Sequence, residues 1–539
     1  MASLHSQASD IMGDSLPFSS RFQSWTLLVV VFLLLYTVIS SVVTSLRPGL
    51  RSIPGPIIAR FSPFYRPWKI AKGDAPDFYL RLHRKYGQIV RTGPRTVNLA
   101  DPRALPIIYG ISSKFLKVKT TQPINVRSNF SFQSPFYDTF SPSYKGETMP
   151  SMFSVRDPVE HQALRRPVAQ KFSMSSIKSF EPFADECTRI FIDAMRDLEG
   201  QCVDLGVWLQ WYAFDVIGAI TFQRRFGFME KRKDIEGMIG ALDNGLKYAG
   251  IVSQVPALHH WLMGNRWVAK FLSAQPFVEV RDPLRLIVRF TQQCIDDYDR
   301  KPVDHGDRPD FLAWLRGEEA KGKPMPNRDM INHLSNNLLA GSDTTGVSLR
   351  AIIYFLIKNV PVYRKLQREI DDADQAGKLS DYITYAECLE LPYLQAVVKE
   401  AMRCHPGVQF PLERVVPKGG TTLCGVHLDA GTIVGMNATV MHHDTNIFGG
   451  DAGAFRPERW TESDDEHTKL MDRHLMTFGY GSRTCIGKNI SIMEMGKLVP
   501  QIIRHFELEW ASDTPGWRVE TFWFAKQHGL KCRLRSRAK

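Results

Sequence analysis

Phe478-Gly-Tyr-Gly-Ser-Arg-Thr-Cys-Ile-Gly487 is the stretch on which the reading of this 539-residue chain turns. It sets one cysteine, Cys485, among three glycines and an arginine, just ahead of a helix expected to begin near Lys488. A thiolate that binds a metal needs a depressed pKa, a screened sulfur and a backbone able to come close to a flat metal-bearing group. Arg483, the metal and the helix N-terminus all favour the thiolate. Gly479, Gly481 and Gly487 permit tight turns with no Cβ in the way, and Phe478 can shield the sulfur. A lone cysteine in a Gly-rich loop is more often a structural thiol. The surrounding positions change those odds. Five specified residues at about 1 in 20 each, over about 500 windows, give on the order of 10⁻⁴ chance matches.

The other seven cysteines lie at 187, 202, 294, 388, 404, 424 and 532, with no CxxC and no tight framework. Neither zinc nor a disulfide scaffold is indicated, and reduced thiols are expected. Hydrophobic residues make up 44% and charged residues 23%, which suits a large core and argues against extensive disorder. The net charge of +12 is not gathered into Lys/Arg runs interleaved with aromatics. Nucleic acid is therefore not expected as a partner. A basic chain can instead face anionic lipid or an acidic redox protein.

Residues 22–46 carry no charge and are long enough to cross a bilayer as a helix. The alternative is a cleaved signal peptide, whose apolar stretch is normally shorter. The organisation expected is a lumenal tail over 1–21, a transmembrane anchor over 22–46, a Pro/Gly hinge over 47–56 and one catalytic domain over 57–539. Arg47, Arg51, Arg60, Arg66, Lys69 and Lys72 follow the anchor, whereas only Arg21 precedes it. Positive-inside logic puts the domain in the cytosol. Short β-like pieces come first, Ile89-Val-Arg-Thr and Thr96-Val-Asn-Leu, and long helical patterns dominate afterwards. Asn327 is expected to cap a helix running to Pro361, and another helix spans about 391–404. The fold class is mainly α with a minor β-sheet region.

Three further segments carry chemistry. Ala340-Gly-Ser-Asp-Thr-Thr345 lies midway along the long helix and is poor helix material, so a loosened turn is expected there. Glu400 and Arg403 share a helix face, and Phe455-Arg-Pro-Glu-Arg-Trp460 follows. His161-Gln-Ala-Leu-Arg165 offers cationic or donor groups to an anion. Taken singly, these read as a helix kink, a surface ion pair and an ordinary histidine.

Together, and in this order, they resemble the cytochrome P-450 superfamily. Phe478, Gly481, Arg483, Cys485 and Gly487 match its haem-binding signature at every position. The anchor and Ile53-Pro-Gly-Pro56 look like eukaryotic microsomal members. Arg91-Thr-Gly-Pro94 with Asp101-Pro102, and 161–166, look most like fungal enzymes of the pisatin-demethylase type. The resemblance implies a cytochrome P-450 fold behind one N-terminal transmembrane helix, with haem b bound through Cys485. His161, Arg165, Arg414 and Arg483 are the implied propionate partners, and Phe478, Gly479 and Gly487 belong to the cofactor loop. Asp343 and Thr344 would relay protons for O–O scission, and Arg459 would join Glu400 and Arg403 in a buried structural triad. Phe130, Phe132, Ala340, Val408, Phe410, Phe522 and Phe524 are implied around the substrate.

The function implied is monooxygenation of an apolar small molecule in fungal secondary-metabolite biosynthesis, on the endoplasmic reticulum membrane. No flavin or nucleotide-binding fingerprint occurs in the sequence. O2 and NADPH-derived electrons would thus be used through a separate NADPH-cytochrome reductase. An oxygen-independent isomerase on the same scaffold is the alternative within enzymology, and a non-catalytic haem-binding protein is the alternative outside it. Isomerases of this kind commonly lack the Asp-Thr pair that stands here at Asp343-Thr344.

Overall fold

The structure, a computed structural model, describes residues 42–115, 135–145, 147–262, 283–300, 310–320 and 325–537, with a few isolated positions beyond these. Along the chain the elements that build the site are α1 (Pro48–Arg51), α2 (Ile57–Phe61), α3 (Tyr65–Ile70), β1 (Ile89–Arg91), β2 (Thr96–Leu99), α4 (Pro158–Arg165), α5 (Glu181–Asp197), α6 (Leu205–Phe222), α7 (Met238–Val252), α8 (Asn327–Lys358), α9 (Pro392–Cys404), β3 (Arg414–Val415), β4 (Ile433–Met436), α10 (Lys488–His505), β5 (Arg518–Thr521) and β6 (Ala525–His528). The domain is mostly helical with small sheets, as the apolar periodicities indicate.

α8 spans 32 residues and is the axis of the core. Its first residue is Asn327, and Pro326 takes the cap position with no side-chain cap, so Asn327 is not the cap expected from sequence. The helix ends at Lys358, three residues before Pro361, and the next helix starts at Val360. α6 is apolar around its whole circumference and buried on nearly all of it. Among the described residues it is the one helix long and apolar enough to cross a membrane by composition. Its burial against α5 and α8 makes it a core helix.

A four-stranded sheet, in the order β1-β2-β4-β3, closes the other side. β2 and β4 run parallel with Val97 opposite Val434, and β3 pairs antiparallel with Arg414 opposite Val434. That register sets Arg414 at the sheet edge nearest the cysteine loop. Residues 47–56, expected as a Pro/Gly hinge, pack against the domain. α1 packs on the sheet through Leu50 and Ile53, 1% and 0% exposed. A Cβ on Gly55 would come within 2.3 Å of the Arg91 carbonyl oxygen. Arg91 is itself fully buried and donates to the carbonyls of Thr44, Ser45, Leu50, Gly93 and Pro94. The chain leaving 22–46 is thereby bound to the domain. Most of 22–46 lies outside the described residues. Of those described, Leu28, Phe32, Leu35, Ile39 and Val43 are well exposed, whereas Thr44 and Ser45 are buried.

Candidate active site

The cysteine loop is shaped by two turns. Gly479 and Gly481 have φ of +74° and +63°, and a Cβ on Gly481 would sit 2.0 Å from the Tyr109 carbonyl oxygen. Only glycine fits there. The Cys485 amide donates to the Phe478 carbonyl at 2.8 Å, fixing the sulfur just ahead of α10. Gly487 precedes that helix at an ordinary φ of −82°, and a Cβ there would meet Cys485 Sγ at 4.0 Å. Cys485 is solvent-accessible, yet it is enclosed deeply enough that burial raises its thiol pKa. Both hold when a side chain faces an interior cleft. The N–H groups of Gly487 and Lys488 and the charges of Arg165 and Lys488 pull the thiol back toward ionisation. Arg483 was expected in that role and is not among these groups. Its Nη1 donates to the Val155 carbonyl at 2.9 Å, on the far side of the loop.

Arg483 instead belongs to a cluster of like charges. His161, Arg165, Arg414 and Arg483 line one cavity of about 450 Å³. Burial and the neighbouring Arg414 and Arg165 hold Arg483 down to about 10, against partial relief from Tyr137 and Asp157. Arg165 is likewise lowered by burial and donates to the Thr484 carbonyl at 3.0 Å. Arg414 takes a more supported place. It donates to the Tyr137 hydroxyl at 3.0 Å and to the Glu413 carbonyl at 2.8 Å, and lies 4.9 Å above the Tyr109 ring. α4 brings His161 and Arg165 to the cavity, started by Asp157, which accepts from the amides of Val159 and Glu160. Three guanidiniums converging in a partly buried space are costly unless an anion joins them. A dianionic macrocycle would fit this charge pattern, with Cys485 available as its metal ligand, and the residues present suit haem.

α8 packs against α10, the helix that follows the cysteine loop. Ala340 is exposed although it lies midway along this core helix, and Thr344 Oγ1 donates back to the Ala340 carbonyl at 2.6 Å. No loosened turn is found, for α8 runs unbroken through 341–345. Gly341 and Gly346 serve close packing with α6: added Cβ atoms would come within 2.9 Å of Ile217 and 3.3 Å of Gln210 Cα. Asp343 is 2% exposed and accepts a hydrogen bond from Gln210 on α6.

Behind the loop, Glu400 and Arg403 pair in fork geometry with two 2.8 Å bonds, and Arg459 Nε reaches Glu400 Oε1 at 2.8 Å. The Arg456 amide and Trp460 indole complete the carboxylate, and Arg403 also donates to the carbonyls of His442, Ala452 and Ala454. All three side chains of the triad are 0–1% exposed.

The residues expected around a substrate divide. Phe410 is 1% exposed and packs on Trp523, so it serves the core and faces no open space. Phe522 is covered by Lys247, whose Nζ lies 5.0 Å from its ring, and by Gly73. Val408 and Phe524 pair in an isolated bridge and stay partly accessible, as Ala340 does. Phe130 and Phe132 lie outside the described residues. Sequence reasoning missed Tyr109, Tyr137, Gln210 and Arg350. Their partners are more than 100 positions away, and no local motif marks them.

The comparisons agree with this geometry. A family model described as cytochrome P-450 matches residues 124–529. A cytochrome P-450 monooxygenase of Emericella nidulans is 35% identical over 517 residues, covering 95% of this chain and 98% of that protein. One from Aspergillus terreus is 37% identical over 481 residues, covering 87% and 92%. A pisatin demethylase of Fusarium vanettenii is 34% identical over 507 residues, covering 93% and 91%. An accessible cysteine beside a converging set of cations, in a chain matched along most of its length, leaves one assignment: this chain belongs to the cytochrome P-450 family and is a haem-b monooxygenase that uses O2 and NADPH-derived electrons supplied through a reductase.

Proposed function

We propose that the chain inserts one oxygen atom into a C–H bond of an apolar small molecule in fungal secondary metabolism, such as a terpenoid, polyketide or alkaloid. Haem b, held through Cys485, supplies the activation of dioxygen and the oxidation of the C–H bond. The single observation that carries the site assignment is an accessible Cys485 that feels the charge of Arg165 and shares its loop with Arg483, two of the four side chains, with His161 and Arg414, that line one cavity. The sulfur is the metal ligand. The four side chains hold the propionates, with Arg414 aimed by Tyr137 and Tyr109. Phe478 and Gly479 shape the loop, and Glu400, Arg403 and Arg459 keep the core behind it in place. Asp343 and Thr344 deliver protons to the oxygen side, and Val408, Phe524 and Ala340 bound the substrate. Residues 22–46 span the endoplasmic reticulum membrane and leave the domain on the cytosolic side, where a reductase docks. The exposed apolar side chains of that segment support this reading.

The test has two arms. The purified protein, reduced and exposed to carbon monoxide, should show a strongly red-shifted Soret band, and Cys485→Ser should lose it. A Cys485→Ser protein that keeps the band defeats the ligand assignment. Co-expression with a reductase and a panel of apolar substrates, followed by mass spectrometry, should reveal a product heavier by one oxygen. Oxygen use with no such product across terpenoids, polyketides and alkaloids would defeat the substrate class.

A further inference from the structure

α6 is apolar along almost its whole length, and two of its buried polar side chains, Asp215 and Gln210, are hydrogen-bonded at more than one atom. Asp215 accepts from the amides of Gly227, Phe228 and Met229, which folds the turn after the helix. Gln210 has no such local use. It is 3% exposed, and both ends of its amide are spent on α8. Its Nε2 donates to Asp343 Oδ1, and its Oε1 accepts from Arg350 Nη2 at 2.8 Å.

The spacing on α8 makes this possible. Asp343, Gly346 and Arg350 stand at i, i+3 and i+7 and share one face. Gly346 in the middle lets the Gln210 backbone approach, since a Cβ there would already meet Gln210 Cα at 3.3 Å. Arg350 is anchored independently, with Nε donating to the Gly206 carbonyl at 2.7 Å. A guanidinium has donors only, so it fixes which way the amide points: the Gln210 oxygen faces Arg350 and the NH2 group faces Asp343. The wider surroundings are charged as well. Asp204 and Asp243 also act on Arg350, and Asp243 is paired with Lys526 at 2.6 Å. Thr344, the next residue along, has its hydroxyl engaged with Ala340 on a different face.

We infer that Gln210 is a positioning residue for proton delivery: oriented by Arg350, it holds Asp343 Oδ1 against α6 and leaves Oδ2 to exchange protons. The inference rests on the reading of Asp343 as the proton-delivering carboxylate. An amide buried in an otherwise apolar helix is costly unless both ends are satisfied, and an apolar side chain of similar length would fill the same volume. What the amide adds is a fixed carboxylate.

The test uses the full-length holoenzyme with its reductase and a turned-over substrate. Gln210→Met keeps the volume and removes the donor. Gln210→Glu keeps an acceptor for Arg350 but sets like charge against Asp343, and it serves where the Met variant fails to fold. Both should retain the carbon-monoxide Soret band. Product formed per O2 consumed should fall severalfold in each, with hydrogen peroxide released instead and a larger solvent isotope effect. Asp343→Asn should fall further, because positioned proton transfer contributes about 10²-fold or more. In the Asp343→Asn background, Gln210→Met should add nothing, as expected of residues acting through one group. A readout independent of turnover is the infrared carboxylate band assigned to Asp343 by difference against Asp343→Asn, which should shift in Gln210→Met. Full coupling and an unshifted band in Gln210→Met overturn the inference, and so does an equal loss with and without Asp343. An Asp343→Asn enzyme that stays fully coupled overturns the reading of Asp343 itself.

Discussion

Two buried glutamates carry opposite consequences for pH. Glu494 on α10 is fully buried, and neither carboxyl oxygen has a hydrogen-bond partner among the described residues. Burial alone pushes its pKa well above the ordinary value. The folded state therefore binds a proton that the unfolded chain releases near pH 4.3. Stability from this group is fully present below that pH and is lost as pH rises toward the folded pKa, by up to about 1.4 kcal/mol per unit. Glu494→Gln keeps the shape and removes the titration. Its melting temperature should exceed that of the unmodified protein by a margin that grows from pH 5 to pH 8, and a constant margin would refute the account. Glu400 behaves in reverse. Burial would raise it, but the hydrogen bonds and charges of Arg403 and Arg459 prevail and lower it. Its stabilisation is present above the unfolded value and is lost as pH falls through the folded one. Arg403→Leu removes one of the two guanidiniums from that carboxylate and leaves the carbonyls of His442, Ala452 and Ala454 short of a donor. A buried pair broken in this way costs about 3–5 kcal/mol. Denaturant midpoints of the purified holoenzyme should show that loss, or the variant should not accumulate folded.

At the scale of elements, contact between elements explains what the sequence could and could not reveal. The cysteine loop, Glu400 with Arg403, and the strands at 89–91 and 96–99 are legible because their meaning lies in local spacing. The glycines are harder to read. Gly341 suggests a kink, whereas in the fold it admits Ile217 of α6, a partner 124 positions earlier that no periodicity announces. Arg483 reads as a companion of the nearby thiol. Its bonds to Val155 and its neighbours Arg414 and Arg165 become apparent only when α4 and β3 close on the loop. Gly481 shows the same dependence and can be tested directly. With φ of +63° and the Tyr109 carbonyl 2.0 Å from any Cβ, alanine there must displace the helix ending at Tyr109, the residue over which Arg414 stacks. The backbone strain alone is about 1–3 kcal/mol. Gly481→Ala should weaken haem retention on gel filtration and broaden the Soret band, whereas Gly453→Ala, with nothing near its Cβ, should leave both unchanged.

Over the whole molecule, the polar and apolar surfaces bear on the proposed membrane attachment. Arg91 collects five carbonyls with no carboxylate paired to it among the described residues, and burial lowers it to about 10. It ties Thr44 and Ser45, at the end of the proposed anchor, to β1. Directly after it, Ile57, Ile58, Phe61, Phe64 and Trp68 on α2 and α3 are 43–74% exposed, and Lys69 Nζ lies 4.1 Å from the Trp68 ring. Five large apolar side chains beside Arg60, Lys69 and Lys72 form a surface that a lipid headgroup layer would cover. Burying even half of that apolar area is worth several kcal/mol at about 25 cal/mol per Å², and each cation adds about 1 kcal/mol near anionic lipid. A chain lacking residues 1–41 should therefore still float with vesicles containing phosphatidylserine, in a salt-sensitive way. Replacing Phe61, Phe64 and Trp68 by Ser in that truncated chain should release it, with the carbon-monoxide spectrum intact. If truncation alone abolishes flotation, the anchor is the sole attachment and the α2–α3 surface has another use.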